Sequence, residues 1–221
     1  MSTPGNTTIH LFYTKFSEAL NPSAYQKHLA AIPPCLQAKT LRYQRWQDRQ
    51  AHLLGKILLK QALVYYGFED DCLHHLCYNS HNRPYIADDI DFNISHSCGY
   101  VMCAIGRQVR LGVDVEAVRN INLDDFYEVM SPPQWHTIRN AEDPIVSFFS
   151  YWTIKEAVVK ADTRGLTLPM DRICIQPNHV RCEGQIWYVK PIAVEQGYRA
   201  YLAANRQHCR ISSHYADLNT Y

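Results

Sequence analysis

Two acidic stretches carry the side chains best suited to metal and phosphate chemistry. The first is Leu111-Gly112-Val113-Asp114-Val115-Glu116. Alternate residues of a strand share a face, so Val113 and Val115 point one way and Asp114 and Glu116 the other. Two carboxylates about 7 Å apart along a strand can hold one hard cation between them. Taken by itself, the motif favours a plainer reading, a solvated polar face on a half-buried strand. The second stretch is Trp152-Thr153-Ile154-Lys155-Glu156-Ala157-Val158-Val159-Lys160. On a helix Glu156 and Lys160 stand one turn apart, which suits an ordinary ion pair of about 0.3–0.5 kcal/mol. Phe148, Phe149, Trp152, Ile154, Val158 and Val159 predict a largely buried helix, and a buried Glu and Lys need partners. The sharper reading makes Glu156 a third carboxylate for the cation and Lys160 a contact for a phosphate.

Two further features could receive an anion. Phe92-Asn93-Ile94-Ser95-His96-Ser97 alternates and then ends in small donors, so Ser95 and His96 could bind a phosphate or a base edge. Adjacent strand residues face opposite sides, so these two do not form a Ser–His nucleophile pair. Between Lys39 and Lys60 lie six basic residues (Lys39, Arg42, Arg45, Arg49, Lys56 and Lys60) and one acid, Asp48. That pattern is either a solvated helix face or a surface for a polyanionic ligand or an acidic partner. Arg83, before Pro84 in a turn, could add a phosphate contact.

The elements that must position these residues are legible from pattern. Ile9 to Phe16 reads as a strand. Asn21-Pro22 caps and opens a helix. From Pro33 to Tyr66 the pattern is helical, with Leu53, Leu54, Ile57, Leu58, Ala62 and Tyr65 on one apolar face and Gly67 as the stop. Leu76–Tyr78 and Tyr85–Ile86 are short strand pieces around the Asn82-Arg83-Pro84 turn. Phe92–Ser97, Tyr100–Ile105 and Arg110–Val115 are strands. Ser131-Pro132 opens a helix, and 144–161 is a strong helix that ends before Gly165. Ile173–Gln176, Ile186–Ile192, Tyr198–Ala203 and Cys209–His214 are strand-like. The order strand–helices–strands occurs twice, with a break near Gly106 to Val109. It predicts an α+β protein of two similar halves, 1–106 and 107–221.

Composition removes several function classes. In 221 residues, 47% are hydrophobic and 19% charged, which excludes disorder as the main state. The net charge of +1 lacks the basic bias of a duplex nucleic-acid binder. No stretch has the apolar length of a membrane span, and Met1 to Phe16 does not read as a signal peptide. Eight scattered cysteines without a CxxC read as reduced thiols of a cytoplasmic protein.

Taken together, these stretches resemble the 4′-phosphopantetheinyl transferase superfamily. The residues that carry the resemblance are the Gly112-Val113-Asp114-Val115-Glu116 strand, the helix with Trp152, Lys155, Glu156 and Lys160 about forty positions on, the Phe92–Ser97 run, Arg83-Pro84, and Gly165-Leu166. The doubled element order is similar to the Sfp-like, monomeric branch, whose two halves pack as a pseudo-dimer. The resemblance implies Mg²⁺-dependent transfer of the phosphopantetheine arm of coenzyme A to a serine of an apo acyl or peptidyl carrier protein, with adenosine 3′,5′-bisphosphate leaving. It implies that Asp114, Glu116 and Glu156 ligate Mg²⁺, that Glu156 is also the base, and that Lys160 contacts the transferred phosphate. It assigns Ser95, His96 and Arg83 to the adenosine and 3′-phosphate end, with Lys39 and Arg42 as further basic contacts. Ala51, Cys98, Gln134 and Thr163 depart from the family's pattern.

Three rivals share some of these residues. Cys72, His74, His75 and Cys77 lie within six positions and could suggest zinc, but adjacent histidines on a short strand point apart and no second pair has finger spacing. A metal-dependent phosphohydrolase would need a water route and usually two metals. A non-catalytic coenzyme A or carrier-protein binding module would be expected to lack Glu156 or Lys160.

Overall fold

The computed structural model describes residues 7–162, 164 and 168–218. The departure at Thr163 and the Gly165-Leu166 match lie outside the described residues. In chain order the first half holds β1 (Thr7–Lys15), α1 (Pro22–Ala30), α2 (Pro34–Leu41), α3 (Trp46–Tyr65), β2 (Cys77–Tyr78), β3 (Pro84–Tyr85), β4 (Ile90–Ser97) and β5 (Tyr100–Arg107). The second half holds β6 (Leu111–Ala117), α4 (Pro132–Arg139), α5 (Pro144–Ala161), β7 (Cys174–Ile175), β8 (Val180–Cys182), β9 (Gln185–Pro191), β10 (Tyr198–Ala204) and β11 (Cys209–Tyr215).

Local chemistry sets these boundaries. The Asn21 side chain accepts the Ala24 N–H at the start of α1, the cap that its position before Pro22 predicts. Ser131 and Gln134 form a reciprocal capping box on α4, which gives the departure at Gln134 a structural role. The helical stretch expected from Pro33 to Tyr66 is broken between Leu41 and Trp46, where the Arg49 guanidinium bonds to the carbonyls of Tyr43 and Gln44. Five members of the α3 stripe are buried, whereas Tyr65 is 56% exposed. At the helix end Tyr65 meets the rings of His10 and His214 rather than the core.

The α+β reading holds. One sheet has the order β11-β1-β5-β4 and the other β6-β10-β9-β8-β7. α3 lies on the first sheet and α5 on the second. Each sheet is thus mostly antiparallel and covered by one long helix. The chain crosses between sheets after Arg107, and β11 returns to pair in parallel with β1. No described helix is long and apolar enough to cross a membrane.

The two sheets meet through side chains instead of a backbone ladder. β4 and β6 are both edge strands. Asp91, Asn93, Ser95 and Ser97 of β4 accept the N–H groups of Leu111, Val113, Val115 and Ala117 of β6 at 2.8, 2.9, 3.3 and 3.1 Å. Every second residue of one edge thereby satisfies every second donor of the other, which removes two exposed sheet edges at once.

Candidate active site at the joint between the sheets

Gly112 decides how closely α5 approaches β6. A Cβ at this position would lie 2.2 Å from the Ala157 carbonyl oxygen and 2.4 Å from the Ala161 nitrogen. Only a residue without a side chain lets the helix backbone sit directly on the strand. That contact places Glu156 and Lys160, which flank Ala157 on the helix, beside Asp114 on the strand.

Asp114 is 2% exposed, as buried as the valines around it. The solvated-face reading of this strand is therefore wrong, because β4 and α5 cover the face that the alternation leaves polar. One carboxylate oxygen, Oδ1, accepts from Lys160 Nζ at 2.6 Å and from the Ser95 hydroxyl at 2.7 Å. The other, Oδ2, is buried and has no hydrogen-bond partner among the described residues. A buried carboxylate oxygen left unpaired is costly, so its placement calls for a cationic partner. The i,i+4 pair expected between Glu156 and Lys160 gives way to Lys160–Asp114, since Asp114 is the more deeply buried acid.

Glu116 accepts the Ser97 hydroxyl at 2.8 Å through Oε2. Burial raises its carboxyl above the usual range and Asp114 adds to this, while Ser97, Trp152 and Lys160 oppose. Glu156 is half-buried. Burial raises it too, Lys160 pulls it down, and Asp114 and Glu116 push it up. The three acids therefore sense one another across the joint. All are hard oxygen donors, and the orphaned Asp114 Oδ2 lies among them, so the set fits a hard divalent cation. Among the described residues no three acidic, His or Cys side chains are already drawn around one metal position. Lys160 is the counter-charge of Asp114 in the chain by itself.

Ser95 and His96 part company, as their alternation requires. The Ser95 hydroxyl donates to Asp114 and accepts from Lys160 and the Val115 N–H, so its capacity is filled beside the carboxylates rather than at a distant phosphate. His96 faces α3, where Asp48 and Lys56 act on it. Desolvation of its imidazole, then Lys160, lower its pKa. Of two neighbours, Lys56 was read only as part of the basic stretch and His52 went unread. Burial lowers His52 to about 4, with Lys56, Lys39 and His96 contributing. Burial lowers Lys56 to about 8, with Lys39 contributing. Lys39, His52, Lys56 and His96 thus form a cluster in which the charging of His52, Lys56 and His96 is suppressed, and a bound anion would relieve it. The 52/56 spacing on one helix face was the available signal. Arg42 caps α2 and is exposed, and no interaction among the described residues ties it to this cluster.

Arg83 is placed differently from its expected role. Its guanidinium bonds to the Asp91 carboxylate, the Leu111 carbonyl and the Lys160 carbonyl. It therefore clasps β4, β6 and the last turn of α5, satisfying a helix-end carbonyl that would otherwise be orphaned. Lys155 is fully buried and donates to the carbonyls of Val129 and Met170 at 2.8 and 2.7 Å. Burial lowers its pKa to about 8. Cys98, with φ of 43°, and Gly99, with φ of 85°, form the tight turn after Ser97. Cys72, His74, His75 and Cys77 assemble no metal site among the described residues. All eight cysteines are free thiols.

Comparison with known proteins agrees with this geometry. The family model described as the 4′-phosphopantetheinyl transferase superfamily matches residues 110–201, the segment from β6 through β10. The 4′-phosphopantetheinyl transferase Sfp of Bacillus subtilis is 25% identical over 199 residues, 84% of this chain and 87% of that protein. The 4′-phosphopantetheinyl transferase gsp of Aneurinibacillus migulanus is 29% identical over 175 residues, 78% of this chain and 73% of that protein. An L-aminoadipate-semialdehyde dehydrogenase-phosphopantetheinyl transferase of Schizosaccharomyces pombe is 32% identical over 106 residues, 41% of this chain and 40% of that protein. With its acidic strand, its Glu156–Lys160 helix and likeness across most of its length, the chain is similar to members of the 4′-phosphopantetheinyl transferase superfamily.

Proposed function

We propose that this enzyme moves the 4′-phosphopantetheine arm of coenzyme A onto a serine of an apo acyl or peptidyl carrier protein, with Mg²⁺, and releases adenosine 3′,5′-bisphosphate. The observation that carries the proposal is Asp114: a buried carboxylate with one oxygen held by Lys160 and Ser95 and the other unpaired. Such an atom suits a cation that arrives with an anionic ligand.

Asp114, Glu116 and Glu156 would hold the Mg²⁺, which when bound neutralises the diphosphate of coenzyme A. Glu156 takes the proton of the incoming serine. Its carboxylate has no hydrogen-bond partner among the described residues, and its raised pKa makes it the stronger base near neutral pH. The serine oxygen forms a bond to the phosphorus that carries the pantetheine arm. The bond from that phosphorus to the oxygen of the adenosine bisphosphate breaks, and its electron pair leaves with the bisphosphate. Lys160 offsets the charge that develops on the transferred phosphate. His96, His52, Lys56 and Lys39 receive the 3′-phosphate end, with Arg42 at its rim. Arg83 and Ser95 serve this reading by fixing α5 and Asp114.

A carrier protein must bring its serine to the open side of this joint. The resemblance supports a monomer, and eight free thiols suit a reducing, cytoplasmic compartment. Product analysis after incubation with coenzyme A, Mg²⁺ and apo carriers tests the proposal. A pantetheinylated carrier supports it. Free phosphate points to hydrolysis, and unchanged carrier with bound coenzyme A points to a binding module.

A further inference from the structure

Ser97 is tied to β6 at two points. Its oxygen accepts the Ala117 N–H at 3.1 Å, and its hydroxyl donates to Glu116 Oε2 at 2.8 Å. The backbone contact fixes where the oxygen sits. The oxygen in turn fixes one carboxylate atom of the residue just before Ala117. Ser95 repeats the device one rung away, accepting from Val115 and donating to Asp114. Asn93 makes the backbone contact alone, to Val113, and has no bond to a carboxylate. The ladder between the sheets thus has rungs that only join and rungs that also aim an acid.

We propose that Ser97 is a positioning residue for Glu116: its hydroxyl holds Oε2 and, with the Trp152 side chain that also bonds this carboxylate, sets the direction in which the group is offered to the cation. This rests on the reading of Glu116 as a metal-binding carboxylate. Ser97 itself touches neither the cation nor the substrate. The pairing also links metal affinity to the joint, because a shift of β4 relative to β6 would misaim Glu116. Groups that orient a ligating carboxylate typically matter by about ten- to hundredfold in metal affinity.

Three variants separate aiming from joining. Ser97→Ala removes the hydroxyl, Ser97→Thr keeps it, and Asn93→Ala breaks a rung that touches no acid. Mn²⁺ affinity is measured by water-proton relaxation with coenzyme A present, beside melting temperature and the Mg²⁺ dependence of transfer. The expected result is Mn²⁺ binding weakened about tenfold or more in Ser97→Ala. Ser97→Thr should restore it, and Asn93→Ala should lose stability at unchanged Mn²⁺ affinity. Unchanged Mn²⁺ affinity in Ser97→Ala overturns the proposal. So does an equal loss in Asn93→Ala, which would mean that the joint alone matters. Mn²⁺ binding does not require turnover, so a wild-type protein that modifies no carrier contradicts the transferase reading and leaves the Ser97 comparison decisive. A wild-type protein that binds no Mn²⁺ with coenzyme A overturns the Ser97 role as well.

Discussion

Lys160 Nζ lies 2.6 Å from Asp114 Oδ1, on a strand of the sheet beneath it, although its own helix offers Glu156 one turn away. Among the described residues the choice leaves Glu156 without a hydrogen-bond partner and Asp114 half-satisfied. It sets up the first expectation. Asp114→Ala should abolish transfer at any practical Mg²⁺ concentration. Lys160→Ala should strand a buried carboxylate, lowering stability by about 1–3 kcal/mol, and should cut turnover more than carrier affinity. Steady-state kinetics and thermal melts of both variants check this. Near-normal rates in Asp114→Ala would refute the metal assignment, and an effect confined to carrier affinity would remove Lys160 from the chemistry.

Glu156 opposes stability where it supports catalysis. Its folded pKa is raised, so the folded state binds more protons than the unfolded chain between the two values. Stability therefore falls as pH rises through that window, and the ionised form is a net cost at neutral pH. Glu156→Gln should eliminate transfer and raise the melting temperature by about 2 °C. A drop in melting temperature would show that the carboxylate contributes a bond the fold needs.

The His52–Lys56 cluster should make nucleotide binding proton-linked. Both groups have lowered pKa values, about 4 and about 8. An anion placed among them favours their charged forms, so binding takes up protons. Adenosine 3′,5′-bisphosphate affinity, measured calorimetrically, should strengthen as pH falls from about 9 to about 7, where Lys56 titrates. Lys56→Met should flatten the profile. The free protein should also lose stability below about 6.5, because neutral His52 is favoured only in the folded state. A pH-independent affinity would place the phosphates elsewhere.

Gly112→Ala tests the close approach of helix and strand. Its Cβ would meet helix backbone at 2.2 Å, and backbone cannot swing aside. The expected cost is about 3 kcal/mol, with transfer lost as Glu156 and Lys160 move off Asp114. Gly55→Ala is the contrast, since its Cβ meets side-chain atoms rather than backbone, Ile94 Cγ2 at 3.0 Å and Val101 Cγ1 at 3.7 Å, and the helix gains propensity. Equal melting temperatures for the two variants would contradict this account of the Gly112 contact.

Much of the fold was legible because its signals are local. Asn21-Pro22, Ser131-Pro132 and the alternation of Phe92–Ser97 each act over a few residues. The grouping of the acidic residues was also legible, since Asp114 and Glu116 share a face by strand period and Glu156 and Lys160 by helix period. What the sequence hid depends on distant pairings. The burial of Asp114 needs α5 and β4 to cover it. The filled bonding of Ser95 and Arg83 follows from a sheet-to-sheet joint that no local pattern announces. His52 and Lys56 resemble a solvated helix face until His96 is folded against them. Tyr65 fits the apolar stripe by spacing, but at the helix end it packs with His10 and His214.

Intact-mass spectrometry of apo carrier proteins incubated with the chain, coenzyme A and Mg²⁺ tests the central claim most directly. The account expects one phosphopantetheine added per carrier, lost with EDTA and lost in Asp114→Ala. Carriers that stay apo while coenzyme A remains bound, or a gain that survives EDTA, would contradict it.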